Sequence, residues 1–232
     1  MIKGVTLDLG GTLVERRMDW DAYGRRVAEY LSGLGLRISE RRFWRAVGVA
    51  LKKLRARQAS HREMSFEELY AMILSSLGIE PSGEVISAIK DIYRSCLNLT
   101  PYPGAREAVE ELSRRYVLGA ISNAVGPWPR TFLELEGLEP FFKTIIISGE
   151  IGWRKPHRRP FELALSRMGL RPEEVVHVGD SPSEDVAGAK AVGMRAVLFL
   201  RPGSEPEAWD VEPDAIVRSL KELVELIPLL DP

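Results

Sequence analysis

The sequence predicts an α/β protein with a doubly wound parallel sheet and an inserted domain that is all helical. Beyond residue 101, short runs rich in Val, Ile and Leu alternate with amphipathic segments. One further run of that kind, residues 2–8, opens the chain, and none appears between about residues 19 and 99. Such alternation is typical of parallel strands whose crossover helices cover both faces of the sheet.

The first predicted element is a buried strand over residues 2–8. Its apolar run ends in Asp8, and Gly10-Gly11-Thr12 follows as a tight turn. The strand therefore delivers Asp8 to a loop. The two glycines allow the backbone to approach a ligand closely, and Thr12 offers a hydroxyl donor.

The next predicted elements are four helices, each with the apolar stripe of a packed helix. The amphipathic stretches are interrupted at three breaks, residues 33–35, 60–65 and 78–82. Pro101 and Pro103 mark the return of the chain to the sheet. We therefore predict a discontinuous α/β core domain, residues 1–14 and 101–232, and a helical domain, residues 15–100.

Alternating helices and strands complete the predicted sheet. Helices are predicted over residues 104–115, 128–136, 159–168 and 182–192. Strands are predicted over residues 116–122, 144–148, 175–179 and 195–200, with a short strand at 214–217 and a helix at 218–230. The carboxyl ends of such strands lie at one edge of the sheet, where ligands usually bind.

Composition argues against several kinds of partner. The 32 basic and 33 acidic residues nearly cancel, so neither nucleic acid nor an anionic membrane is expected as a partner. The lone cysteine, Cys96, suits a reducing compartment. The chain opens without the pattern of a secretory signal, and no apolar run approaches the roughly 20 residues of a membrane helix. We therefore expect a cytoplasmic protein.

Three acidic residues lie where predicted strands end. Asp8 ends the first strand, Asp180 follows the strand at 175–179, and Asp185 falls in the first turn of the next helix. Three carboxylates at adjacent strand ends repel one another unless a cation lies between them. Hard oxygen ligands favour Mg²⁺ over zinc, and a carboxylate beside a metal is able to attack phosphorus.

Two further segments offer partners for an anion. Ser122-Asn123 ends a predicted strand and provides a hydroxyl, an amide and nearby backbone N–H groups. Lys155 lies in a loop before a predicted helix, where its ammonium would offset the charge that develops on a transferred phosphoryl group. The neighbouring Arg154 is a rival for that role.

In the order aspartate, hydroxyl, lysine, acid pair, these segments resemble the haloacid dehalogenase-like (HAD) hydrolase superfamily, in its phosphatase-like branch with a helical cap. The resemblance covers essentially the whole chain. It implies a Rossmann-like core, a cap that closes over the site, Mg²⁺ as cofactor, and a small phosphorylated metabolite as substrate of a monomer or homodimer. The residue roles it implies are catalysis by Asp8 (through an aspartyl-phosphate), Lys155 and Thr12, phosphate binding by Gly11, Ser122, Asn123 and Lys155, and metal binding by Asp8, the Gly10 backbone carbonyl, Asp180 and Asp185.

Gly10 departs from the family pattern, because similar phosphatases carry there a second aspartate that serves as general acid and base. Loss of such a group lowers a rate by about 10² to 10⁴, which favours good leaving groups such as acyl and aryl phosphates. Three interpretations stay open at this point. Another residue supplies the proton; the chemistry is that of a metal-independent 2-haloacid dehalogenase or a phosphonatase; or the protein only binds a phosphorylated ligand. The candidate proton donors are Glu15, Asp19, His61 and His157.

The beginning of the helical domain carries both charged and aromatic side chains. Arg16 and Arg17 are candidates for binding a second anionic group, although a solvated charge cluster is the simpler interpretation. Trp20, Tyr23 and Phe43 are predicted to pack in the core rather than to contact a ligand.

Overall fold

A computed structural model describes residues 1–35, 37–201, 203 and 210–230 of the chain. The strands within these residues are β1 (Gly4–Leu7), β2 (Val14–Met18), β3 (Leu97–Pro101), β4 (Val117–Ser122), β5 (Phe142–Ile147), β6 (Val175–Gly179), β7 (Arg195–Phe199) and β8 (Ala215–Val217). Six of them form a sheet in the order β5-β4-β1-β6-β7-β8, and every pair of neighbouring strands in it is parallel. The predicted α/β class with a parallel sheet is confirmed.

Helices flank this sheet and fill the inserted segment. The helices are α1 (Trp20–Gly33), α2 (Glu40–Gln58), α3 (Phe66–Leu77), α4 (Gly83–Ser95), α5 (Ala105–Ser113), α6 (Trp128–Leu135), α7 (Ser148–Ile151), α8 (Arg158–Met168), α9 (Ala187–Ala191) and α10 (Leu220–Leu226). A π-helical turn, Pro182–Val186, leads into α9. In the described part of the chain, no helix has both the length and the apolar character needed to span a bilayer.

The sheet is covered on both faces, as a doubly wound arrangement requires. Along β4, Leu118 and Ala120 pack into one apolar cluster, whereas Ile121 packs into the other. This alternation follows from the two-residue period of a strand. The sheet order reverses at the central strand β1, which pairs with β4 on one side and β6 on the other. Ligands bind at the carboxyl ends of the strands at such a reversal.

Side-chain caps define the four helices of the inserted segment. Asp19, Ser39, Ser65 and Ser82 each accept a hydrogen bond from a backbone N–H in the first turn of the helix that follows. Ser65 and Glu68 form a reciprocal capping box. Caps of this kind satisfy N–H groups that have no partner within the helix. We call residues 20–95, which contain α1 to α4, the helical block.

The boundary of the inserted segment differs from the prediction. Residues 15–18 and 97–100 were assigned to an all-helical domain, but they belong to the antiparallel pair β2 and β3, in which Val14 faces Pro101. The strand signal is weak because β2 carries three consecutive exposed charged residues. This ribbon holds the entry and the exit of the helical block side by side. The division into domains of residues 1–14 with 101–232 and 15–100 stays a prediction, and some of its residues, such as 204–209, lie outside the described ones.

Candidate active site

Three carboxylates meet at the carboxyl edge of the sheet. Asp8 follows β1, and its backbone N–H donates to the Val178 carbonyl of β6 at 2.8 Å. Asp180 follows β6, and Asp185 lies in the π-helical turn after it. One oxygen of each of the three lies within 4.8 Å of the others. The predicted acid cluster is therefore brought together by the strand order.

Two glycines make room for this cluster. A β-carbon at Gly11 would collide with the Asp180 carboxylate, and one at Gly179 would collide with that of Asp185. Gly11 also has a φ of 85°, a conformation that side chains with a β-carbon rarely adopt. Both positions are thus fixed as glycine by the carboxylates beside them.

Lys155 is the buried cation of the site. Its ammonium donates to Asp8 Oδ1 at 2.9 Å and to the Ile121 carbonyl at 2.7 Å, and it lies 2.5 Å from Asp185 Oδ1. Burial lowers the pKa of the Lys155 amine, but Asp185 and Asp8 outweigh burial and hold that pKa above its usual range. Burial likewise raises the pKa of Asp185, yet Lys155 and His177 hold it below its usual range. Lys155 and Asp185 are therefore an ion pair.

The other two carboxylates have raised pKa values. Burial raises the pKa of Asp8 to about 7, against the lowering effect of Lys155 and with a further rise from Asp185. Burial and the charge of Asp185 raise the pKa of Asp180 to about 6, although Arg201 opposes this. A cation among these oxygens would favour both ionised forms. The donor set consists of hard oxygen atoms and fits a divalent metal ion such as Mg²⁺.

Asn123 and Ser122, after β4, border the same group of residues. The Asn123 amide accepts from the Lys155 backbone N–H at 2.9 Å and donates to the Lys155 carbonyl at 3.1 Å. It also donates to Glu184 at 2.9 Å. Ser122 is buried and lines the cavity beside Asp8. Asn123 thus fixes the backbone that carries Lys155.

His177 is a buried residue that contacts Asp185. One ring nitrogen is 3.0 Å from Asp185 Oδ1, and the other is 2.9 Å from the Thr6 hydroxyl. Burial lowers the pKa of His177, although Asp185 opposes this. The ring therefore orients Asp185 and does not reach the cavity.

A cavity of about 330 Å³ opens beside the three carboxylates. The sequence-predicted residues that line it are Asp8, Gly10, Gly11, Ser122, Asn123, Lys155, Asp180 and Asp185. Thr12 is not brought there. The turn that carries it closes through backbone bonds to the Leu9 carbonyl, and Thr12 is fully buried with no hydrogen-bond partner for its hydroxyl among the described residues.

Several lining residues were missed by the sequence reasoning. Arg201 follows β7 by two residues and lies 3.3 Å from Asp180, so its place at a strand end was an available signal. Tyr102 and Trp128 come from loop and helix positions that carry no such signal. Arg154, considered as a rival of Lys155, pairs instead with Glu184 at 2.6 Å.

Trp128 stands where the missing aspartate would have to fit. A β-carbon at Gly10 would lie 2.9 Å from Cη2 of the Trp128 ring, which is buried. Gly10 has no positive φ, unlike Gly11. Glycine at position 10 is therefore explained by space and not by backbone conformation.

Among the four candidate proton donors, Glu15 alone lines the cavity. Its carboxylate pairs with Arg17 at 2.9 Å. Asp19 caps α1, and His157 stacks on Trp153 with ring centres 4.0 Å apart. His61 lies on the exposed loop before α3.

The fold and the site together define an α/β protein with a cluster of three carboxylates and a buried lysine at the carboxyl edge of a parallel sheet. The haloacid dehalogenase-like hydrolase family matches residues 2–193. A glyceraldehyde 3-phosphate phosphatase of Methanocaldococcus jannaschii is 30% identical over 230 residues, which are 98% of this chain and 97% of that protein. The chain therefore belongs to the haloacid dehalogenase-like hydrolase family and is an enzyme.

Solved structures agree with this assignment. A 2-haloacid dehalogenase of Pseudomonas syringae pv. Tomato DC3000 has a TM-score of 0.76 and 26% identity, with 99% of each chain covered. A HAD phosphatase of Thermococcus onnurineus has a TM-score of 0.66 and 28% identity, with 97% of each chain covered. The similarity thus extends over the helical block as well as the sheet.

Proposed function

We propose that this enzyme is a Mg²⁺-dependent phosphatase that transfers the phosphoryl group of a small phosphate monoester first to Asp8 and then to water. The observation that carries the proposal is the gathering of Asp8, Asp180 and Asp185 around one position at an open cavity, with Lys155 against Asp8. The phosphatase relative described above supports it. We also propose that residues 15–100 act as a cap over the core.

The proposed reaction has two displacements. An oxygen of the Asp8 carboxylate forms a bond to phosphorus while the bond from phosphorus to the ester oxygen breaks. That oxygen leaves with the electron pair and takes up a proton. Water then attacks the phosphorus of the aspartyl-phosphate, the bond to Asp8 breaks, and inorganic phosphate and the free carboxylate result.

The surrounding residues have distinct proposed roles. Asp8, Asp180, Asp185 and the Gly10 carbonyl would hold Mg²⁺, which when bound neutralises charge on the phosphoryl oxygens. Ser122 and the backbone at Gly11 would bind those oxygens, and Lys155 would offset the charge that develops on them. Asn123 keeps Lys155 in place. Thr12 is left out of the proposal because its side chain lies in the interior.

The decisive experiment is an assay of the purified chain on acetyl phosphate and a panel of phosphate esters, with Mg²⁺ or with excess chelator. We expect turnover only with Mg²⁺, and none for Asp8→Asn, because an amide cannot form the phosphorylated intermediate. Asp91→Asn, an exposed aspartate of α4, is the matched control and should keep full activity. Acid-quenched enzyme should carry one phosphoryl group on the peptide that contains residue 8. Equal turnover in chelator would contradict the proposal.

Metal-independent dehalogenation is the second candidate. It is favoured by Gly10, since dehalogenases of the superfamily also lack the second aspartate, and by the TM-score of 0.76 to a 2-haloacid dehalogenase. A metal-independent reaction would not use the possible metal site that Asp180 forms with Asp8 and Asp185. Halide release from a 2-haloacid in chelator, together with no phosphate release in Mg²⁺, would decide for it.

A further inference from the structure

A second cavity of about 490 Å³ lies between the helical block and the core. We call it the aromatic pocket. Seven aromatic side chains line it, namely Trp20, Tyr23, Trp44, Phe66, Tyr70, Tyr93 and Trp128. Trp20, predicted to be core, is 52% exposed and stands at the rim with its ring 6.2 Å from that of Trp44.

The aromatic pocket adjoins the cavity at Asp8. Arg16, Asn123 and Trp128 line both. The Arg16 guanidinium lies 5.2 Å over the Trp128 ring and donates to the Tyr93 hydroxyl at 3.4 Å. A leaving group that extends from Asp8 past Trp128 would enter this pocket.

The polar side chains of the pocket wall are hydrogen-bonded within the protein, among them Arg16 to Tyr93, Arg154 to Glu184 and Gln58 to Glu63. The Tyr23 and Tyr70 hydroxyls are hydrogen-bonded to each other. Glu63, the one acidic residue among the lining residues, is buried and accepts from Gln58 at 2.9 Å and from Ser148 at 3.2 Å. Ring faces and edges at this spacing favour another aromatic ring. The pocket is therefore suited to a flat apolar group.

The residue at position 10 also affects the departure of the leaving group. Position 10 carries no carboxylic acid, so no such group there protonates the leaving oxygen, and the Trp128 ring lies where the β-carbon of an aspartate would fit. A phenol has a pKa of about 10, whereas an alkyl alcohol resembles water and is a far weaker acid. An aryloxide therefore leaves without a proton far more readily than an alkoxide.

We propose that the substrate class is the aryl phosphate monoesters, with the aromatic ring of the leaving group in the aromatic pocket. This inference rests on the proposed phosphatase function. The phosphorus–oxygen bond to the ring breaks as Asp8 attacks, the aryloxide keeps the electron pair, and water supplies its proton afterwards. Small polar esters such as glyceraldehyde 3-phosphate would be poor substrates of this chain.

Four substrates separate the two parts of the inference. Phenyl phosphate has both the ring and the good leaving group, acetyl phosphate only the leaving group, cyclohexyl phosphate only the bulk, and glycerol phosphate neither. Burial of a phenyl ring is worth about tenfold to a hundredfold in binding. We expect KM for phenyl phosphate to lie below that for acetyl phosphate by about this factor, and KM for cyclohexyl phosphate to be low with a small kcat.

Two substitutions on α2 provide a matched pair. Leu51 lines the aromatic pocket and is partly buried, whereas Val49 is 55% exposed on the same helix. Leu51→Trp should fill the pocket and lower the ratio of kcat/KM for phenyl phosphate to that for acetyl phosphate by about tenfold or more. Val49→Trp should leave the ratio unchanged.

The outcomes distinguish this inference from the proposed function. Mg²⁺-dependent turnover with equal KM values for phenyl and acetyl phosphate would overturn the inference and leave the phosphatase intact. An equal ratio in the two tryptophan variants would also overturn it. If no ester is hydrolysed, calorimetric titration of Asp8→Asn with phenyl phosphate tests the pocket directly: binding that Leu51→Trp weakens supports it, and absence of binding refutes it.

Discussion

The contact between Gly10 and Trp128 predicts what restoring the family aspartate would do. A β-carbon at position 10 would lie 2.9 Å from the indole ring, well inside the optimal carbon–carbon separation of about 3.5–4.0 Å. Overpacking of this kind lowers the free energy of unfolding by about 1–3 kcal/mol. For a chain of this length, each kcal/mol corresponds to about 2–4 °C in Tm, so Gly10→Asp should lower Tm by about 2–12 °C.

Activity should separate the effect of space from the effect of chemistry. Gly10→Ala adds the same β-carbon without a carboxyl group and should show a similar loss of stability. Gly10→Asp alone should hydrolyse cyclohexyl phosphate no faster than the wild type, because the ring occupies the space that the carboxyl group needs. In a Trp128→Leu background the same aspartate should raise kcat by about 10², the lower end of the effect of a general acid.

The assay is a double-mutant cycle of kcat and Tm over Gly10→Asp and Trp128→Leu, measured with Mg²⁺. Comparison within the Trp128→Leu background removes the loss of pocket contacts that this substitution causes by itself. The reasoning is refuted if Gly10→Asp alone keeps the wild-type Tm and accelerates hydrolysis of the alkyl ester. Such a result would mean that the Trp128 ring moves away from position 10 without a loss of free energy of unfolding.

Three further predictions test other parts of the structure. A Mg²⁺ concentration a hundred times its Kd should raise the free energy of unfolding by about 2.7 kcal/mol. The Asp180→Asn variant should lose most of this gain. A wild-type Tm that does not change with Mg²⁺ would refute the metal site. Glu63→Gln should lower the free energy of unfolding measured in urea by about 1–3 kcal/mol, because the buried side chain loses a charged oxygen that accepts hydrogen bonds. The control Glu67→Gln, at an exposed position, should change that free energy by less than about 0.5 kcal/mol. Burial raises the pKa of Tyr23 and of Tyr70. The contribution of their protonated hydroxyls to stability is therefore complete below the unfolded tyrosine pKa of about 10 and is lost as the pH rises above it. The urea midpoint of unfolding should fall between about pH 8 and 11, and it should fall by less in Tyr70→Phe.

The sheet and the acid cluster were predictable because their signals are local. The apolar run before Asp8 and the run before Asp180 each fix a strand and its end. In a parallel sheet the strand ends share one edge, so the two acids had to meet once the strands paired. Asp185 followed from the cap at Ser181, which sets the start of the turn that carries it.

Other features depend on contacts that no local pattern encodes. The ribbon of β2 and β3 was missed because β2 carries three consecutive exposed charged residues and no alternating apolar pattern. Thr12 was expected to face the ligand, but a closed turn directs its side chain inward. Trp128 is placed against Gly10 by the docking of α6, and a sequence pattern gives no sign of a ring 118 residues away filling that space.

A polar chain connects the helical block to the nucleophile and gives Arg154 a role different from the one considered at first. Glu63 of the block lies 3.7 Å from Arg154, which pairs with Glu184 at 2.6 Å. Glu184 accepts from Asn123, whose amide holds the Lys155 backbone. Buried charges are costly when unpaired, so a displacement of the block that removed Glu63 would leave Arg154 with fewer partners. Arg154 also pairs with Glu184, which contacts Asn123, and Asn123 in turn binds the backbone of Lys155. A continuous path of polar contacts therefore runs from Glu63 of the block to the backbone of Lys155.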